Sequence, residues 1–178
     1  RREFLNKIRG GSIPQEFIPS IRKGIESAME AGIFAGFPVV NIKALLIDGS
    51  YHDVDSSDFA FQTAGSICFK AAFKKAIPIL LEPIMKIEIN TPDDNIGDVI
   101  KDLGRRRAKV HSMRRYRKGA QKLNGFVPLN EMFGYATTLR SISSGRANYS
   151  MEFNSYEPLN ESILEKVLKE IALKKEEE

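Results

Sequence analysis

"IMKIEINTPDDNIGDVIKDLGRRR", residues 84–107, joins a strand pattern to a helix pattern through a short Thr-Pro-Asp-Asp link. Met85, Ile87 and Ile89 alternate with Lys86 and Glu88, the period of a strand buried on one face. Thr91 then reads as a helix N-cap, Pro92 as the first helical residue and Asp94 as the capping-box acid. Ile96, Val99, Ile100 and Leu103 hold one face of the helix that follows. Beyond it, "KVHSMRRYR" (109–117) and "AQKLNGFV" (120–127) read as two weaker strands joined by a turn near Lys118-Gly119. "LNEMFGYATTLRSI" (129–142) reads as a second helix with Leu129, Met132, Phe133, Ala136 and Leu139 in register, and "GRANYSMEF" (145–153) as a last strand. That order is βαββαβ, the ferredoxin-like unit, in which two helices cover one sheet face and leave the other free.

Upstream, the pattern is a different α+β unit. Phe17, Ile21, Ile25 and Ala28 align on a helix that Gly32 ends, with Pro14 and Pro19 confining its regular part. "FPVVNIKALLI" (37–47) is a β-branched run closed by an Asp-Gly turn. "VDSSDFAFQTAGSICFKAAFKKA" (54–76) follows as a helix with Ala60, Ala64, Ile67, Cys68 and Ala71 aligned. It is apolar nearly all round, so a buried central helix is expected, with Cys68 on its inner face. "AIPILLEP" (76–83), with its two prolines, marks the domain boundary, placing one domain at 1–78 and the next at 79–157. Residues 158–178 carry Ile163, Leu164, Val167, Leu168 and Ile171 as a stripe, so this last helix must dock, and the first domain is the expected place.

With 178 residues, 42% hydrophobic and 28% charged, the chain can bury one large core or two small ones. No apolar run approaches the ~18 residues of a membrane span, so a soluble protein without a membrane partner is expected. Cys68 is the single cysteine, which excludes an internal disulfide and zinc sites of two or four cysteines. The abrupt start at "RREFLNKIRGG", without Met, reads as an excised fragment. Net charge is +4, but residues 101–122 hold ten Lys or Arg against one Asp, a footprint suited to a polyanion such as RNA. Residues 161–178 hold six Glu against four Lys, which reads as a solubilising helix end.

Little in the chain suggests chemistry. It has no G-x-x-x-x-G-K-[ST] phosphate loop, no strand-linked G-x-G-x-x-G, no G-x-S-x-G elbow, and His52 and His111 are its only histidines. The carboxylate-rich stretch "DGSYHDVDSSD" (48–58) has local explanations for most of its acids. Asp48 belongs to the Asp-Gly turn, Asp55 reads as the N-cap of the next helix, and Asp58 as its first-turn acid. The oxygen count would suit calcium, but EF-hand spacing is absent. Ser50, Tyr51, His52 and Asp53 remain without a local role, and an exposed Tyr-His pair suits base stacking and sugar contacts as well as it suits an idle loop. Of the basic residues, one or two of Arg105, Arg106 and Arg107 suit a helix C-terminus. Arg114, Arg115, Arg117 and Lys118 surround a hairpin turn, where neither capping nor a core accounts for them. "GFV" at 125–127 faintly echoes an RNP motif, but the neighbouring strands show no aromatic pairs, which disfavours an RRM-type stacking sheet.

Together, "GGSIPQEFIPSIRKGI", "AGFPVVNIKALLIDGSYHDVDSSDFAF", "LLEPIMKIEINTP", "GDVIKDLGRRR", "VPLNEMFGYATTLRS" and "GRANYSMEF" resemble the C-terminal portion of the elongation factor G family over essentially the whole chain. The resemblance implies most of domain IV lacking its first strands, then a ferredoxin-like domain V, with the final helix returning to domain IV. It implies a role in tRNA and mRNA translocation on the ribosome, in the cytoplasm or an organellar matrix, as a monomer. Ser50, Tyr51, His52 and Asp53 match the tip that enters the decoding centre and contacts tRNA and mRNA. The segment Phe133–Gly145 matches the region facing large-subunit rRNA and the stalk-base proteins, which makes Arg140, Ser141 and Arg146 rRNA-binding candidates beside the Arg triplet and the hairpin. GTP, Mg²⁺ and the GTPase activity would belong to a domain absent here, leaving this part without cofactor or catalysis. A paralogous translational GTPase of ribosome recycling or protection shares these domains, although its tip loop usually departs from "SYHDVDSS". A stand-alone RNA-binding ferredoxin-like module and a small hydrolase using His52, Asp53 and a serine are the remaining readings.

Overall fold

The computed structural model describes residues 1–176, with the side chains of the last helix described through Leu173, so the side chains of the charged tail at 174–178 lie outside the described residues. The chain divides into two compact units, Arg1–Ile79 together with the chain from Val167, and Leu80–Lys166.

In the first unit, strand β1 (Arg2–Asn6) pairs in parallel with β2 (Ile42–Leu46), from Arg2 opposite Ile42 to Asn6 opposite Leu46. Helix α1 (Ile18–Ala31) buries Ile21, Ile25 and Ala28, the face its spacing predicts, and stops at Gly32. Helix α2 (Asp58–Lys75) departs from expectation, because it buries Phe61, Gly65 and Phe69 instead. Two glycines decide the register. A Cβ on Gly65 would stand 2.7 Å from the Ile21 carbonyl oxygen, and one on Gly24 would overlap the Gln62 carbonyl oxygen. The helix backbones therefore meet at these glycines, and that contact fixes which side of α2 faces α1. The alanine face named from sequence is apolar but uncovered: Ala64 and Cys68 line an open cavity of about 550 Å³ with Ile42, Ala44 and Leu46. Cys68 is exposed and Ile67 is 63% exposed, so α2 is not a buried central helix among the described residues.

The second unit runs β3 (Leu81–Pro92), α3 (Ile96–Arg105), β4 (Lys109–Arg117), β5 (Ala120–Pro128), α4 (Tyr135–Ser143) and β6 (Asn148–Pro158). Its sheet has the order β4-β5-β3-β6, antiparallel throughout, as the βαββαβ reading requires. Ile87 and Ile89 of β3, Val99 and Leu103 of α3, and Leu123 and Val127 of β5 form the centre of the core. Two local expectations are corrected. Thr91 does not cap α3; it stays in β3, 1% exposed, and the residue before the helix is Asn95, whose side chain donates to the Ile142 carbonyl at 3.0 Å. The helix expected over 129–142 is broken. A 3₁₀ turn (Leu129–Met132) leads to Phe133 and to Gly134 at φ 70°, and α4 starts after it, so Phe133 is 80% exposed and Tyr135 enters the core instead. A left-handed glycine resets the helix phase there. Helix α5 (Glu161–Glu176) leaves Ile163, Leu164, Val167, Leu168 and Ile171 half-buried between exposed neighbours, and none of the five belongs to either buried core among the described residues. Among the described residues no helix is long and apolar enough to cross a membrane.

Candidate nucleic-acid interface

The loop from Asp48 to Ser57 is built from short-range hydrogen bonds. Asp48 accepts from the Gly49 N–H at 2.8 Å. The His52 carbonyl accepts from the Asp55 and Ser56 N–H groups at 3.2 and 3.1 Å, and the His52 N–H donates to Ser56 Oγ at 3.1 Å. The His52 backbone is thus clamped from both sides while its imidazole is exposed. Tyr51 is held differently. Its ring lies 5.9 Å from that of Phe17, which stacks at 4.6 Å on Phe61 of the first core. Hydrogen bonding to Asp53 raises the Tyr51 phenol above its ordinary pKa, assisted by desolvation and the Asp53 charge. Tyr51 and Asp53 therefore brace the loop, while His52 is exposed together with Ser50 and with Val54, which is 94% exposed. Among the described residues no three of His, Cys, Asp or Glu converge as a metal cage.

The cap of α2 is Ser57, not Asp55: Ser57 Oγ accepts from the Ala60 N–H at 3.1 Å, whereas Asp55 takes part through its backbone. The extended backbone of Ser57 (φ −154°, ψ 165°) is the cap geometry, and Asp55 lies two residues too early for it. Asp58 sits in the first turn and accepts from Ser20 Oγ at 2.6 Å, tying the start of α2 to α1. Ser57→Ala is expected to cost about 1 kcal/mol in denaturant melts, and Asp55→Ala to stay within about 0.5 kcal/mol of the parent chain. Equal losses at both positions would contradict this capping assignment.

The basic residues separate into two sets. Arg106 donates to Asp102 at 2.8 Å, to the carbonyls of Glu131 and Phe133 at 2.6 and 3.2 Å, and to Thr138 at 3.2 Å, with its guanidinium over the Tyr135 ring. Arg107 forks onto both oxygens of Glu82 at 2.8 Å and reaches Glu131 at 2.9 Å. These bonds, Glu82 first, hold its pKa above the ordinary arginine value although burial opposes them. Of the triplet, then, only Arg105 is exposed. Arg146 is exposed and donates to the Ser143 carbonyl at 3.3 Å and to Asn95 at 3.2 Å, and Arg140 and Ser141 are exposed on α4. On the hairpin, Arg114, Arg115, Arg117 and Lys118 are all exposed and, among the described residues, form no ion pair.

Sequence reasoning missed the rings beside them. His111 stacks on Phe126 with centroids 5.1 Å apart and planes 24° from parallel, and the Lys122 ammonium lies 5.0 Å from the centre of the Tyr116 ring. Both His111 and Tyr116 stand at irregularities in the β4–β5 pairing, which skips from Val110 to Ser112 and from Arg115 to Arg117. Nothing in strict strand alternation announces either bulge.

Family profiles match in two consecutive blocks, "Elongation factor G, domain IV" over residues 1–77 and "Elongation factor G C-terminus" over residues 79–167. The elongation factor G of Fervidobacterium nodosum is 53% identical over 167 residues, 94% of this chain but 24% of that protein. A crystal structure of a protein from Thermus thermophilus superposes with a TM-score of 0.90 at 37% identity, over 97% of this chain and 26% of that one. This chain thus spans about a quarter of the length of these relatives. The chain belongs to the elongation factor G family, with the sequence and fold of its domain IV and C-terminal domain.

Proposed function

We propose that this chain is the ribosome-engaging end of a translocating elongation factor, with the His52 loop inserted beside tRNA and mRNA in the decoding centre. The observation that carries this reading is the clamped turn at His52: three hydrogen bonds fix its backbone and leave the imidazole facing solvent. A probe of an RNA duplex needs that combination, because a mobile loop would lose ordering entropy on every encounter. The mechanism is differential binding. A folded wedge that fits only the shifted arrangement of tRNA and mRNA biases the complex against reversal without catalysing a covalent step. Arg105, Arg140, Ser141 and the hairpin cations would face rRNA of the large subunit and its stalk-base proteins. Guanine-nucleotide chemistry is assigned outside these 178 residues, where no phosphate loop occurs.

In an intact factor carrying this sequence, His52→Ala is expected to slow tRNA–mRNA movement about tenfold, equivalent to ~1.4 kcal/mol in the barrier, with an unchanged melting temperature. An unaltered rate would remove His52 from the mechanism. A defect in subunit splitting instead of translocation would identify the recycling paralogue.

A further inference from the structure

We propose that the open face of the four-stranded sheet, on its β4–β5 side, binds single-stranded RNA by stacking unpaired bases on His111–Phe126 and on Tyr116. The proposal rests on the reading that the basic hairpin meets RNA, and it specifies which form of RNA and by which contacts.

The face is defined by alternation. Leu123 and Val127 point into the core, so Lys122, Asn124 and Phe126 occupy the other side of β5. Their partners on β4 are Arg114, Ser112 and Lys109, and on β3 they are Asn90, Glu88 and Lys86. The buried core lies against the opposite side, with α3 and α4. Each of the two irregularities in β4 carries an aromatic ring, and each ring meets a β5 residue of the open face: His111 meets Phe126 and Tyr116 meets Lys122. Bulges are a recurrent device for re-aiming a side chain, and here both aim a flat π-surface outward.

Charge selects the occupant. Beside the hairpin, the acids Glu88 and Glu152 of this face are already matched, by Lys122 at 2.7 Å and by Lys86 at 3.0 Å. Lys109 and Arg114 on this face, with Arg117 and Lys118 at the turn, form no ion pair among the described residues. Exposed rings surrounded by unmatched cations suit a partner that is both polyanionic and aromatic. An apolar protein surface would have to desolvate those cations without compensation. A duplex keeps its base faces stacked internally and offers the rings nothing, so the RNA must be unpaired. Across from Lys122, Asn124 and Phe126 the central strand offers Asn90, Glu88 and Lys86 and no aromatic ring, so the platform is confined to the hairpin side.

The test uses the full chain and an RNA of about eight nucleotides containing one 2-aminopurine, with the matching duplex as competitor. Binding is expected to quench the 2-aminopurine. His111→Ala with Tyr116→Ala should weaken affinity at least about fivefold per base and abolish quenching, while His111→Phe retains both. The salt dependence should keep its slope in the aromatic variants, at about 0.7 per contacted phosphate, and flatten when Arg114→Glu and Arg117→Glu are combined. Unchanged affinity in the aromatic variants, or equal competition by duplex, overturns stacking while the hairpin cations remain RNA contacts if their reversal weakens binding. Absence of RNA binding in low salt overturns both. These residues are exposed on an edge strand, so melting temperatures should stay level across the series, and a variant that melts early is replaced by Tyr116→Leu or His111→Gln.

Discussion

Gly24→Ala is expected to destabilise the first unit by about 2–3 kcal/mol, although alanine is the better helix former by ~1 kcal/mol. The added methyl would fall on the Gln62 carbonyl oxygen, a backbone atom inside α2 that cannot rotate away. Relief requires α1 and α2 to separate, and separation loosens the packing of Ile21, Ile25, Phe61 and Phe69 around the crossing. Gly65→Ala presses on the Ile21 carbonyl oxygen from 2.7 Å and should act in the same direction, less severely. Gly97→Ala supplies the contrast. Gly97 also lies in a helix, but a Cβ there meets nothing within 4 Å, so the same substitution should stabilise α3 by up to ~1 kcal/mol. Urea melts followed by far-ultraviolet circular dichroism measure all three. If Gly24→Ala proves neutral or stabilising like Gly97→Ala, the helices are not in backbone contact.

That crossing also shows where the sequence stops being readable. A regular amphipathic helix such as α1 announces its face, because Ile21, Ile25 and Ala28 are apolar among polar neighbours. The alternation of β3 and the turn at Gly119 were equally legible, and with them the βαββαβ order. Helix α2 is apolar on several sides, so periodicity alone favoured the alanines; the deciding fact was backbone proximity at Gly24 and Gly65, which depends on the partner helix. Strand β1 was missed for a related reason, since five residues of "REFLN" have no identity as a strand until β2 pairs with them from far along the chain. In the loop at 48–58, a carboxylate and a hydroxyl are competing caps by composition, and only the backbone angles of Ser57 choose between them. Aromatic pairing on the open sheet was illegible because both rings sit at irregularities in strand pairing. The arginine triplet was the most ambiguous. Three adjacent identical residues carry one sequence signal, yet Arg105 is exposed while Arg106 and Arg107 turn inward.

Arg107 offers the sharpest test of that division. Its backbone is left-handed at φ 59°, which costs a non-glycine residue about 1–2 kcal/mol, so the ion pairs it makes must outweigh this strain. The side chain of Glu82 is only 11% exposed and Glu131 29%, so removing the guanidinium leaves two poorly hydrated carboxylates sharing one charge partner's space. Breaking a fully buried pair typically costs ~3–5 kcal/mol; with Arg107 25% exposed, Arg107→Met should cost nearer 2–3 kcal/mol. Arg107→Lys should recover less than half of that, because an ammonium cannot reproduce the fork onto both Glu82 oxygens. Substituting the carboxylates first, Glu82→Gln with Glu131→Gln, should shrink the effect of Arg107→Met to below about 1 kcal/mol, since the uncompensated charge is then gone. Arg105→Ala should leave stability within about 0.5 kcal/mol, as expected of an exposed residue. The opposite pattern, a silent Arg107→Met that weakens RNA binding, would mean that Arg107 serves RNA and that its carboxylate partners are incidental. The double-mutant cycle separates the two, because only a structural clamp makes the arginine's worth depend on Glu82 and Glu131.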